Sequence, residues 1–172
     1  MRLLFVVGPS GAGKDTLMSG AIAADPQLHW ARRVITRPES AGGEPFEGVS
    51  DPEFVARLSR GDFALHWDAH GLRYGVPLTE LPVGRDVLVN GSRAAIPKAL
   101  AAFPAMTVIH ITAPIAVLAQ RLAARGRETH DDIAARLMRA DLSMPEGLPL
   151  IEVMNDGAPE TGIARLLQAL RA

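Results

Sequence analysis

The feature that most constrains the fold of this chain is a glycine-rich loop that follows its first apolar run. Leu3–Val7 is an unbroken apolar run, which is typical of a strand buried on both faces of a parallel sheet. The residues from Leu17 to Ala24 have a pattern typical of a helix. The loop between them follows the pattern G-x-x-x-x-G-K and consists of Gly8, Pro9, Ser10, Gly11, Ala12, Gly13 and Lys14.

A loop of this kind favours phosphate binding for physical reasons. Glycines let successive backbone N–H groups turn inward around an anion, and the start of the helix adds its positive dipole end. Lys14 would reach the β- and γ-phosphates as a mobile positive charge. The alternative is a chance glycine-rich turn with a surface lysine, but the strand before and the helix after favour a nucleotide phosphate loop. We therefore expect ATP to bind here.

The residues after the lysine depart from the usual pattern. A Ser or Thr that binds Mg²⁺ ordinarily follows the lysine, whereas here Asp15 follows and then Thr16. A carboxylate is a hard oxygen ligand, so Asp15 and Thr16 are the candidate Mg²⁺ ligands. The alternative is that Asp15 only favours the helix start and that Thr16 or water holds the metal. The run Val87–Val89 ends in Asn90 rather than in an acid, and Asp15 would supply that missing charge.

Short apolar runs and helical patterns alternate along most of the remaining chain, which predicts an α/β domain with a central parallel sheet flanked by helices. Residues 30–85 break this rhythm with glycines and short mixed runs, which predicts an inserted subdomain within a single domain of 1–172. The core would comprise 1–29 and 86–172. One insert helix is expected over Asp51–Arg60, with Ser50 as its N-cap. Further strands are expected at Val87–Val89, Val108–Ile111 and Leu150–Met154.

Composition excludes several classes of function. The chain has 172 residues, a net charge of −1 and no cysteine. A broadly basic nucleic-acid face is therefore not expected, and disulfides and thiolate catalysis are excluded. No apolar run is long enough for a membrane span or a signal segment, so we expect a cytoplasmic protein. The oligomeric state stays open, with a homodimer as one option.

Arginines cluster at the predicted turn between two late helices. Arg121 and Arg125 are spaced i, i+4, and Arg136 lies on the next helix, where Thr129 is the expected N-cap. Further members are Arg127 and Arg139. A lid over about 121–140 that carries several guanidiniums suits phosphoryl transfer, since charge develops on the transferred group. Taken alone, the same residues fit a solvated helix face paired with Glu128 or Asp132.

These motifs together resemble the guanylate kinase family of P-loop NTPases over nearly the whole chain. Within it, the chain resembles the ribose 1,5-bisphosphate phosphokinases. The residues that carry the resemblance are the phosphate loop, Ile35-Thr36-Arg37-Pro38, His66–Gly75, Asn90-Gly91-Ser92-Arg93, the Arg121–Arg127 segment and Val153-Met154-Asn155-Asp156. The resemblance implies a guanylate-kinase-like fold with an acceptor-binding insert over about 30–85. It also implies that Asn155 lies near the nucleotide.

Departures from guanylate kinases favour an acceptor without a base. The positions that would read guanine fall at Leu65 and Val76, and a phosphate-holding tyrosine falls at Phe46. An alignment shifted by one or more positions would put His66 or Asp68 at the base. The resemblance implies ATP-dependent phosphorylation of ribose 1,5-bisphosphate to 5-phosphoribosyl 1-diphosphate (PRPP), in phosphonate use or an accessory route to PRPP.

The candidate catalytic residues are Lys14, Arg121, Arg125 and Arg136. The candidate substrate-binding residues are Arg37, Asp68, Arg73, Tyr74, Asn90 and Arg93. Two alternatives stay open: a guanylate or other nucleoside monophosphate kinase, and a non-catalytic guanylate-kinase-like interaction module.

Overall fold

A computed structural model describes residues 1–126, 128–139 and 144–172, apart from the side chain of Arg139. Arg127 and the Arg139 side chain, both expected in the lid, therefore lie outside the described residues. The elements of the described chain, in order, are β1 (Leu3–Val7), α1 (Lys14–Ala24), β2 (Leu28–Trp30), β3 (Arg33–Ile35), β4 (Phe46–Gly48), α2 (Asp51–Ser59), β5 (Phe63–Ala69), β6 (Leu72–Pro77), β7 (Asp86–Asn90), α3 (Ile96–Ala102), β8 (Thr107–Thr112), α4 (Ile115–Ala124), α5 (His130–Arg139), β9 (Leu150–Met154) and α6 (Pro159–Arg171).

The central sheet has five parallel strands in the order β2-β7-β1-β8-β9. All five residues of β1 are buried, as the apolar run predicts. Alternate residues of β1 serve two separate cores, because successive side chains of a strand point to opposite faces. Leu4 and Val6 pack in the core that includes α1, α4, α5 and α6, whereas Phe5 and Val7 pack in a second core.

The second core joins the central sheet to a smaller sheet with the order β4-β3-β6-β5. This smaller sheet covers residues 33–77 and mixes parallel and antiparallel pairs, so it falls within the predicted insert. The two sheets meet where Phe5 contacts Trp67 edge to face, with ring centroids 5.9 Å apart. This contact is part of the second core, which packs the insert against β1.

Two helix starts follow the predicted capping chemistry. The Oγ atom of Ser50 accepts a hydrogen bond from the Glu53 amide at 3.3 Å, and Thr129 Oγ1 accepts one from the Asp132 amide at 3.2 Å. The strand β2 was not predicted. Its three residues are too few for a periodic pattern, and it is held by pairing with β7. Among the described helices, none has the length and apolarity to cross a membrane.

Candidate active site

The glycine-rich loop connects β1 to α1 as predicted, and two of its residues adopt backbone conformations that favour glycine. Gly11 and Gly13 have φ values of +86° and +85°, the left-handed region that residues with a Cβ rarely adopt. The Ala12 amide donates to the Pro9 carbonyl at 3.1 Å, which closes the turn. Lys14 Nζ folds back and donates to the Gly8 carbonyl at 2.7 Å. Its pKa is lowered, mainly by burial; Asp15 opposes the shift, and Arg33 and Arg125 add to it.

Two side chains donate hydrogen bonds to backbone carbonyls of this loop. Asn155 follows β9 and is buried, and its Nδ2 donates to the Ala12 carbonyl at 2.7 Å. Arg121 donates to the Gly11 carbonyl at 3.1 Å and to the Asn155 carbonyl at 2.7 Å. Neither residue lines the pockets described next. The structure therefore gives Arg121 and Asn155 hydrogen bonds to the loop backbone. A catalytic role for Arg121 and a nucleotide contact for Asn155 stay predictions.

Two adjoining pockets open beside the loop. The tyrosine pocket, of about 410 Å³, is lined by Tyr74, Trp67 and residues at the ends of β7 and β8. The α1 pocket, of about 430 Å³, is lined by Asp15, Thr16, Arg37 and the segment before β4. The residues that line both pockets are Pro9, Ser10, Lys14, Arg33 and Asn90.

Parallel pairing explains why polar residues gather at this place. Asn90 is in register with Val6 of β1, and His110 of β8 is in register with Val7. The carboxyl ends of β7 and β8 therefore lie on either side of the strand that leads into the loop, as is general for open α/β sheets. Both residues are buried and line the tyrosine pocket.

A buried polar network joins the insert to the core. Arg33, at the start of β3, forms an ion pair with Glu44 and donates to the Asn90 carbonyl at 2.9 Å. The Asn90 side-chain amide donates to Glu44 Oε1 at 3.3 Å and to Asp15 Oδ1 at 3.2 Å. Burial lowers the pKa of Arg33 to about 10, with Tyr74 and Asp15 opposing the shift, so the guanidinium stays charged at neutral pH. Sequence reasoning missed both Arg33 and Glu44.

Three predicted substrate residues lie at the pockets in addition to Asn90. Tyr74 is buried and stacks on Trp67 with ring centroids 5.5 Å apart. Arg93 lines the tyrosine pocket. Arg37 lines the α1 pocket, where its guanidinium lies 4.4 Å from the centre of the Phe46 ring and donates to the Gly42 carbonyl at 3.0 Å.

Two predicted substrate residues lie on the face of the smaller sheet opposite to Trp67 and Tyr74. Asp68 and Arg73 are paired in register on β5 and β6, next to Trp67 and Tyr74. Because side chains alternate along a strand, the burial of Trp67 and Tyr74 turns Asp68 and Arg73 to the opposite face. Neither lines the pockets, and Arg73 Nε instead lies 3.8 Å from the Asp51 carboxylate. The structure therefore does not bring Asp68 or Arg73 to the pockets, and a substrate role for either stays a prediction without geometric support.

Histidines show the same alternation. His66 shares the face of Asp68 and lies within 3.2 Å of Lys98 Nζ, away from the pockets. His70 lines the tyrosine pocket. His110 was missed by sequence reasoning, although a histidine within the apolar run 108–111 was a visible signal. Burial lowers the pKa of His110, and the Glu152 carboxylate, 3.7 Å from Nδ1, opposes that shift.

Two arginines of the predicted lid line different pockets, whereas Arg121 lines neither. Arg125 lines the α1 pocket, and Arg136 lines the tyrosine pocket and pairs with Glu128 at 2.7 Å. Arg136 therefore lies at the tyrosine pocket and also has a salt-bridge partner, and its catalytic role stays a prediction.

The positions that would read a guanine base are apolar and enclosed. Leu65 and Val76 are 4% and 1% exposed, and Phe46 is 5% exposed beneath Arg37. A buried aliphatic side chain offers no donor or acceptor to a base edge. The shifted alignment gives no substitute, because His66 and Asp68 point away from the pockets.

The candidate metal ligands fit a nucleotide-bound cation better than a cation held by protein alone. Asp15 and Thr16 are exposed on the first turn of α1 and line the α1 pocket beside Lys14. Across the described residues, no group of three or more His, Cys, Asp or Glu side chains is arranged to hold a metal ion. Asp15 and Thr16 would thus supply only part of an oxygen shell, which suits Mg²⁺ that keeps waters and phosphate ligands.

Comparison with known proteins gives close relatives. No protein-family model matches the chain. The ribose 1,5-bisphosphate phosphokinase PhnN of Ruegeria sp. is 50% identical over 177 residues, covering 99% of this chain and 93% of the relative. The corresponding protein of Rhizobium etli is 46% identical, covering 98% and 88%.

Other relatives are longer. The bifunctional ribose 1,5-bisphosphokinase-thymidine phosphorylase of Cupriavidus necator is 51% identical over 171 residues, and the match covers 97% of this chain. The chain spans 28% of the length of that relative.

Solved structures support the fold. The guanylate kinase of Anaplasma phagocytophilum superposes with a TM-score of 0.67 at 20% identity, covering 99% of this chain and 84% of that one. A gluconokinase of Sinorhizobium meliloti gives a TM-score of 0.55 at 17% identity, covering 99% and 91%. The expected guanylate-kinase-like P-loop fold is confirmed.

Proposed function

Since this chain belongs to the family of ribose 1,5-bisphosphate phosphokinases, we propose that it transfers the γ-phosphoryl group of ATP to ribose 1,5-bisphosphate, giving PRPP and ADP. The single observation that carries the choice of acceptor is the lining of the tyrosine pocket. Lys14, Arg33, Arg93 and Arg136 contribute to that lining, which includes no carboxylate among the described residues. Such a lining suits an acceptor with two phosphates and no base.

The reaction needs little acid–base chemistry. An oxygen of the acceptor 1-phosphate forms a bond to the γ-phosphorus, and the bond from that phosphorus to the β,γ-bridging oxygen breaks. The electron pair of the broken bond leaves with ADP. The attacking oxygen is already anionic, so positioning and charge neutralisation carry the catalysis.

Roles for the chain's own residues follow from their places in the two pockets. Backbone N–H groups of the phosphate loop and Lys14 would hold the β- and γ-phosphates. Arg125 lines the α1 pocket and would neutralise charge at the transferred group, and Arg37 on the same pocket would hold the acceptor phosphate. Arg93 and Tyr74 line the tyrosine pocket and would hold the acceptor. Arg136 would cover the pocket and exclude water.

We propose Mg²⁺ as the divalent cation, with Asp15 and Thr16 as its candidate protein ligands. When bound, it supplies positive charge to the β- and γ-phosphate oxygens. Asn90 holds Asp15 by a 3.2 Å hydrogen bond, which would orient that carboxylate toward the phosphates. We also propose that the protein acts on small molecules in the cytoplasm without nucleic-acid or membrane partners.

An acceptor screen tests the proposal. Purified protein with ATP and Mg²⁺ is offered ribose 1,5-bisphosphate, GMP or AMP, and ADP release is measured by a coupled assay. We expect turnover with ribose 1,5-bisphosphate and little with either nucleotide. Clear turnover of GMP alone would favour a nucleoside monophosphate kinase, and failure to bind ATP by calorimetry would favour an interaction module.

A further inference from the structure

Arg33 contributes to the cationic lining of the tyrosine pocket but has no assigned role in the reaction. It lies at the start of β3, at the junction of the two pockets, and lines both of them together with Lys14. Its side chain is only 11% exposed. Burying a charge of this kind is unfavourable unless its partners compensate.

The partners of Arg33 hold it in one orientation. The guanidinium pairs with Glu44 on one side, donates to the Asn90 carbonyl at 2.9 Å, and lies 4.9 Å from the centre of the Tyr74 ring. A guanidinium has five N–H donors, and these two polar contacts use two of them. An arginine fixed in this way loses little conformational freedom when an anion binds to its remaining donors.

Lys14 provides a second positive charge where the two pockets meet. It belongs to the loop that would hold the donor phosphates, whereas Arg33 belongs to the insert that would hold the acceptor. A phosphoryl group passing between the two must cross the place where the pockets meet. Both residues line that place.

We propose that Arg33 is a catalytic residue that binds the attacking phosphate of the acceptor and neutralises the transferred phosphoryl group from the acceptor side. This inference rests on the proposed function. Glu44 and Asn90 act as positioning residues for the guanidinium. The ligand is a phosphomonoester oxygen, which the planar fork of arginine binds through two parallel hydrogen bonds.

The competing explanation is a purely structural ion pair that ties the insert to the core. The chain offers a matched control in Arg57 on α2. Arg57 pairs with Glu47 at 2.8 Å, is 17% exposed, and lies 5.4 Å from the centre of the Phe63 ring. Arg57 therefore resembles Arg33 in its burial, its ion pair and its ring contact, although its carboxylate partner is more exposed, and it lines neither pocket.

The test compares Arg33→Lys, the double variant Arg33→Gln/Glu44→Gln and the control Arg57→Gln. The double variant replaces the ion pair by two amides that hydrogen-bond each other, so no uncompensated charge stays buried. For each protein we measure the melting temperature, the ATP affinity by calorimetry, and kcat and KM for each substrate in PRPP formation.

We expect the ATP affinity to stay within about twofold of wild type in all three variants. In the double variant, kcat/KM for the acceptor falls about 100-fold or more, as for loss of one charge-stabilising donor. The loss is smaller in Arg33→Lys, because lysine keeps the charge but loses the two-point geometry. Arg57→Gln keeps the wild-type kcat/KM.

Three results would overturn the inference. The first is acceptor kcat/KM in both Arg33 variants close to that of Arg57→Gln. The second is an equal loss of ATP affinity and acceptor kcat/KM, since that would indicate a general disturbance of the site. The third is wild-type protein that makes no PRPP, which would refute the proposed function and with it the role of Arg33.

Discussion

Replacing Asn155 by aspartate tests whether a side chain behind the phosphate loop holds the loop in its binding conformation. Asn155 Nδ2 donates to the Ala12 carbonyl at 2.7 Å, and the side chain is packed against Gly13, where an added Cβ would lie 2.5 Å from Nδ2. Aspartate has nearly the same shape but no donor. The substitution therefore removes one buried hydrogen bond and faces the Ala12 carbonyl with a second acceptor.

The expected size of the effect follows from the burial of this bond. Leaving a buried carbonyl without its donor costs about 1–3 kcal/mol of unfolding free energy, and a buried carboxylate adds to that cost. A loss of ~2 kcal/mol lowers the melting temperature of a domain of this size by about 4–8 °C. Because the loop backbone is disturbed directly, ATP affinity falls by roughly tenfold, equivalent to about 1.4 kcal/mol.

The assay is thermal unfolding of Asn155→Asp with and without ATP, together with calorimetric ATP titration. The matched control is Asp156→Asn, one residue further on. Asp156 is exposed and pairs with Arg165 at 2.9 Å, and exposed pairs of this kind contribute little to stability. An Asn155→Asp protein with the melting temperature and ATP affinity of the control would refute the reasoning that Asn155 shapes the loop.

Two further predictions concern metal use and pH. Asp15→Asn should raise the Mg²⁺ concentration needed for half-maximal activity and weaken Mn²⁺ binding to the ATP complex in spin-resonance titrations; an unchanged metal dependence in a folded variant would remove Asp15 from the metal site. His110→Gln should flatten the loss of stability that we expect as the pH falls below about 6.5. Burial lowers the folded-state pKa of His110, so the unfolded chain binds the proton more readily and acid favours unfolding. Urea unfolding at pH 7 and pH 5 measures this slope, and equal slopes in both proteins would contradict the assignment.

The phosphate loop and the helix caps were predictable from sequence because their chemistry is local. The left-handed glycines, the lysine and the caps Ser50 and Thr129 act within a few residues of their own positions. The apolar run at Leu3–Val7 was likewise sufficient, since a strand covered on both faces must be apolar throughout. These features need no knowledge of distant contacts.

The site residues that were missed depend on contacts between distant parts of the chain. Arg33 and Glu44 are buried only because β3 and the segment before β4 fold over Asn90, 57 and 46 residues away. Nothing in their own neighbourhood distinguishes them from surface charges. Asp68 and Arg73 lie outside the pockets for a related reason, because the motif 66–75 indicates which residues are near the site but not which face of the strand they occupy.

The most direct test of the central claim is phosphorus NMR of the wild-type protein with ATP, Mg²⁺ and ribose 1,5-bisphosphate. We expect the acceptor 1-phosphate signal to be replaced by the coupled pair of a sugar diphosphate, distinct from that of ADP, while ADP accumulates in equal amount and the 5-phosphate signal persists. If ADP instead accumulates together with free inorganic phosphate while the acceptor 1-phosphate signal persists and no sugar diphosphate forms, ATP is only hydrolysed and the proposed transfer is refuted.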